Sequence, residues 1–124
     1  MGRMSKWVIS SAAALVLAAG ALSAAGADMS HEQLMHKIQT AKTRADHDEI
    51  AAVYEQRAKA DRSTAEEHRG MEKLYKGFGQ SGAGRASPGQ MAAHCKNIAD
   101  GYERAAKEHD SLAKLHRQAA SETQ

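Results

Sequence analysis

Residues 87–116 read SPGQMAAHCKNIADGYERAAKEHDSLAKLH, and they spell the start and one full face of a long helix. Ser87 is placed to cap it. Pro88 fits the first helical position, where its missing N–H costs nothing, and Gln90 completes a capping box. Beyond the cap, Met91, Cys95, Ile98, Tyr102, Ala105, His109, Leu112 and His116 recur at spacings of four and three. That alternation is the heptad rhythm of a helix packed lengthwise on another helix. The helix is expected over about 88–120.

Reading backwards, residues 77–87 hold Gly77, Gly79, Gly82 and Gly84 and form a turn. No strand precedes this glycine-rich run and no Gly-Lys-Ser/Thr follows, so it is not a phosphate cradle. Before it lies a second long helix, expected over about 44–76 and opened by a capping box of Thr43 and Asp46. Its seam is His47, Ala51, Tyr54, Ala58, Asp61, Ala65, His68, Glu72 and Tyr75, widened by Ile50, Val53, Met71 and Leu74. A short helix over about 30–42 precedes it, with Ser30 and Gln33 as its box and Leu34, Met35 and Ile38 on its apolar side. The expected fold is all-α: an antiparallel helical hairpin with a short N-terminal helix. The helix faces left bare are expected to be Ala-rich, and a homodimer closing them into a four-helix bundle completes the expectation.

Residues 1–27 read as a secretory signal peptide. Arg3 and Lys6 make the positive start, Trp7 to Leu22 is mostly apolar, and Ala25-Gly26-Ala27 fits a cleavage site. The single domain then covers 28–124, and the expected location is periplasmic or secreted. Arg3 and Lys6 account for the whole formal charge of +2. The remaining chain is balanced and its charges alternate in sign, which gives no reason to expect a nucleic-acid partner. After cleavage no membrane attachment is expected. One cysteine cannot form an intrachain disulfide, and a small Ala-rich core needs support from a metal or a second subunit.

Aligning the two long helices with level ends sets His68 opposite Cys95, Tyr54 opposite His109, Asp61 opposite Tyr102, and His47 opposite His116. Near the turn, Cys95 and His68 are joined by Met91, His94 and Met71, each within a turn of one of them. Thiolate, thioether and imidazole form a soft donor set that suits copper, Cu(I) above all; zinc fits less well because methionine is not one of its usual ligands. At the far end, His47, His116 and His109 form a second, weaker candidate. His47 and His68 are about 31 Å apart along a straight helix, so the two places cannot be one. Gly-x-Ser-x-Gly, His-Glu-x-x-His and Cys-x-x-Cys-His are all missing, and no enzyme is expected. The function read from the residues is an exported metal-binding protein for copper storage, buffering, delivery or sensing. Two other classes fit the same residues: a metal-free helical adaptor, and a copper-thiolate electron-transfer protein.

Overall fold

The computed structural model describes residues 29–79 and 87–123. It contains three helices: α1 His31–Thr40, α2 Arg44–Gly77 and α3 Pro88–Glu122, with no strand among the described residues. Each helix opens on the box expected of it. Ser30 accepts from the Gln33 N–H, Thr43 from Asp46 and Ser87 from Gln90, and each third residue bonds back to its cap. These bonds satisfy backbone donors that the first turn of any helix leaves free. At the other end of α2, Gly79 adopts a positive φ of 69°, the left-handed conformation that ends helices where a side chain would clash. The glycine-rich turn falls largely on 80–86, and the leader on 1–27; both lie outside the described residues. No described helix is long and apolar enough to cross a membrane.

α2 and α3 are packed against each other along their length as an antiparallel hairpin. The packed stripe of α2 is the expected one. Ala51, Ala58, Ala65 and Glu72 are buried at heptad intervals. The stripe of α3 is not. Ala92, Ala99, Ala106, Ala113 and Ala120 occupy one seam position, with Cys95 in the other. Met91, Ile98 and Leu112, expected inside the seam, are exposed beside it. Both sets keep the four-three rhythm around Cys95 and Tyr102, so periodicity alone does not choose between them. Close approach does: alanine facing alanine lets two backbones pack without side chains propping them apart. The Ala-rich faces are therefore consumed between the long helices, and the uncovered face is built of Met, Ile and Leu.

The two edges of the hairpin differ. One carries the ion pairs that cross between helices: Arg62 with Asp110, Arg69 with Asp100 and Glu103, and Arg117 with Asp48 and Glu55. The other edge carries the large apolar side chains, with Arg57, Thr64 and Glu67 between them on α2. α1 lies at its far end, where Leu34 meets the fully buried Ile50 and Val53, with Met29, Ala41 and Tyr54 around them. Lys37 ties α1 to the start of α2 through Asp46 and Glu49. These two carboxylates push the Lys37 ammonium above its usual pKa. The amides of Lys42 and Thr43 and the Thr43 hydroxyl hold the Asp46 carboxyl well below its own.

Candidate metal centre

Seam positions not filled by alanine carry the polar chemistry. The Thr43 box fixes the first turn of α2, so His47 stands one turn inside it, its N–H donating to the Thr43 carbonyl at 3.2 Å. From α3, His116 meets it across the seam. The two Nδ1 atoms are 3.2 Å apart in a half-buried position, with ring centroids 5.4 Å apart. Tyr54 comes next and stacks on both neighbours from α3, at 5.9 Å from the His116 ring and 5.8 Å from the His109 ring. His109 then donates from Nδ1 to Asp61 Oδ2 at 2.7 Å. The result is a ladder alternating between helices: His47, His116, Tyr54, His109, Asp61.

The Tyr54–His109 and His47–His116 neighbours stand as the sequence places them. Asp61 differs, taking the His109 imidazole rather than the Tyr102 hydroxyl. In an antiparallel heptad seam each such residue lies between two residues of the opposite helix. Asp61 therefore has a choice, and it bonds the more buried of the two: the His109 side chain is 26% exposed and Tyr102 39%. This pairing takes His109 away from the His47–His116 pair. His31 and His36 on α1 are both exposed and do not complete that pair either.

The His47–His116 contact needs one Nδ1 protonated and the other with a free lone pair. Two imidazolium rings at this distance would repel. The structure holds the His116 pKa below its usual value, first by burial and then by the neighbouring His47 charge. The contact is thus a single hydrogen bond between two nitrogens that are each good metal donors. The distance suits a second use. Two nitrogens bound to one tetrahedral metal at about 2.0–2.1 Å lie about 3.3–3.4 Å from each other. The observed Nδ1–Nδ1 distance of 3.2 Å is thus within about 0.2 Å of the separation that a shared metal sets.

The loop-proximal end has a different character. Cys95 is 7% exposed and faces the seam. His68 is half-buried, and its Nδ1 is the one buried side-chain nitrogen or oxygen without a hydrogen-bond partner among the described residues. The register that joins His47 to His116 and Tyr54 to His109 puts His68 in the layer shared by Tyr102 and Cys95. An open groove runs beside it, lined by His68, Ile98, Gly101, Tyr102 and Ala105. Met71, Met91 and His94, the other expected ligands, are all exposed. Among the described residues no three His, Cys, Asp or Glu side chains converge as a ready metal cage, at this end or the other. Sequence reasoning set Tyr54 beside His109 but left Asp61 out of the distal site, although Asp61 occupies the same heptad position as His47 and Tyr54. Comparison with known proteins finds no matching family model, curated protein or solved structure, and the functional reading rests on this geometry.

Proposed function

We propose that this chain is an exported copper-binding protein that buffers, stores or delivers the metal and works as a homodimer in the periplasm or outside the cell. The observation that carries the reading is the 3.2 Å approach of the His47 and His116 Nδ1 atoms across the helix seam. Imidazole donors suit copper and zinc alike, and among divalent ions the intrinsic affinity order favours copper. Two protein ligands leave coordination positions open. A structural metal is normally enclosed by four protein ligands, whereas an open site lets the ion exchange. Exchange is what buffering and delivery require. Cys95 with His68, supported by Met91, His94 and Met71, is a second and softer position suited to Cu(I).

The test is thermal melting of the exported chain with added copper or zinc. A ligand that binds only the folded state raises the melting temperature by mass action. The first equivalent of copper is expected to raise it, and His47→Ala or His116→Ala to cancel most of the gain. Cys95→Ser is expected to retain the nitrogen site. No response to either metal would overturn the metal reading and leave a helical adaptor. A gain lost in Cys95→Ser and kept in His116→Ala would move the site to the loop-proximal end.

A further inference from the structure

Every exposed large apolar residue of α2, its C-cap Phe78 and α3 lies on the edge opposite the ion pairs, or on the seam beside it: Met71, Leu74, Phe78, Met91, Ile98, Tyr102, Leu112 and Leu115. On α3 this edge repeats at sevens as Met91, Ile98, Ala105, Leu112 and Ala119, and the row beside it is His94, Gly101, Glu108 and Leu115, so that Glu108 is the one carboxylate on the face. Such a stripe matches the face of another helix. Gly101 lies alongside it and lines the groove with His68, Ile98, Tyr102 and Ala105. A glycine inside a helix weakens it, and nothing within the chain requires this one. A Cβ built there would meet only the flexible Arg104 end, at 3.9 Å. A second backbone passing close to the groove gives the glycine a purpose.

We infer that the covering body is a second copy of this chain, docked by its own α3 antiparallel across a two-fold axis at Ala105. The stripe is self-complementary about that point. Ile98 and Leu112 stand one heptad to either side of Ala105, so the two-fold sets each against the other residue of the partner. The small pair Gly101 and Ala105 sits at the crossing, where the helices come closest.

The same axis accounts for the rest of the bare surface. Ala105 lies about level with Asp61 and Arg62 of α2, because Tyr54 stacks midway between His109 and His116. Ile50 and Val53, which carry α1, are then as far from the axis on one side as Leu74 and Met71 on the other. The partner's α1 arrives over Met71, Leu74 and Phe78, bringing Met35 and Ile38, both exposed in the single chain. From Met91 to Leu115 the face is about 36 Å long and two helices, about 20 Å, wide. That is about 700 Å² per partner, close to the roughly 800 Å² of an ordinary stable interface. This inference rests on the dimeric part of the functional reading and not on its copper.

Sedimentation of the exported chain, metal-free and reduced, tests it at micromolar concentration. The unaltered chain is expected to be a dimer, and the double variant Ile98→Lys, Leu112→Glu a monomer. Both altered side chains are already exposed, so its helix content should be unchanged. In a Cys95→Ser background, Ala105→Cys should form a disulfide-linked dimer on mild oxidation, while Glu66→Cys on the outer surface should not. A monomeric unaltered chain would overturn both the dimer and its surface. A dimer that survives the double variant, or fails to cross-link at 105, would overturn the surface alone. Copper-dependent melting is read separately and stands or falls on its own.

Discussion

The two ends of the helix seam use the same heptad positions for opposite arrangements. At the far end His47, His116, Tyr54, His109 and Asp61 satisfy one another across the helices, and α1 packs alongside. At the turn end His68 Nδ1 is buried without a partner, the seam opens into a groove, and Leu74 and Phe78 are each 65% exposed. The far end holds its polar side chains in mutual contacts within one chain, and its His47–His116 contact is the one that a first copper ion would replace. The turn end leaves His68 Nδ1 without a partner and its large apolar side chains in solvent, as the inferred second copy requires. Polar residues in a helix seam are stable only when each has its partner, so the two ends are built for different contacts.

The largest expected effect breaks the contrast at the far end. Ile50→Ala removes a fully buried side chain that holds α1. It should cost about 2–5 kcal/mol in chemical denaturation. Leu74→Ala, the control at the turn end, should stay within about 0.5 kcal/mol in a monomeric background. Equal losses at the two sites would mean that the ends are equally packed. Next in size is Asp61→Ala. It strips His109 of its acceptor in a half-buried position, and about 1–3 kcal/mol should be lost. His68→Leu at the other end removes an orphan nitrogen rather than a bonded one. It should be neutral or stabilising in the metal-free protein.

A smaller effect is set by pH. The folded state holds the His116 pKa below its unfolded value, so the unfolded chain binds the proton more readily. Stability from this group is therefore complete above the ordinary histidine pKa of about 6.5 and is lost as the pH falls through it. Melting temperature should decline between pH 7 and pH 5, and His116→Ala should flatten the decline. A curve rising on acidification would show that the pair gains from protonation. Arg117→Ala should do least. It removes ion pairs to Asp48 and Glu55 on a solvated edge, for about 0–1 kcal/mol that high salt erases.

Much of this architecture is legible before any coordinates. The three capping boxes mark the helix starts because their chemistry is local: a hydroxyl and, three positions on, a Gln amide or an Asp carboxylate. Ala51, Ala58 and Ala65 show the seam of α2. The seam of α3 is misread by one position. Its apolar arc is wide enough to hold two heptad stripes, and large residues attract the assignment that alanines receive in the structure. The facing of His47 with His116 is also legible, yet the Cys95 end outranks it on ligand count. Spacing cannot reveal that His109 turns to Asp61, nor that Met71, Met91 and His94 remain exposed, since these depend on how the packed helices are rotated.

The proposed place of the first copper ion is between His47 and His116. X-ray absorption at the copper edge, on the chain loaded with one equivalent, reads its neighbours directly. The account predicts nitrogen and oxygen neighbours with the outer scattering of two imidazole rings and no sulfur. A sulfur neighbour in that first equivalent would contradict it, because Cys95 and the methionines near it lie at the other end of the hairpin.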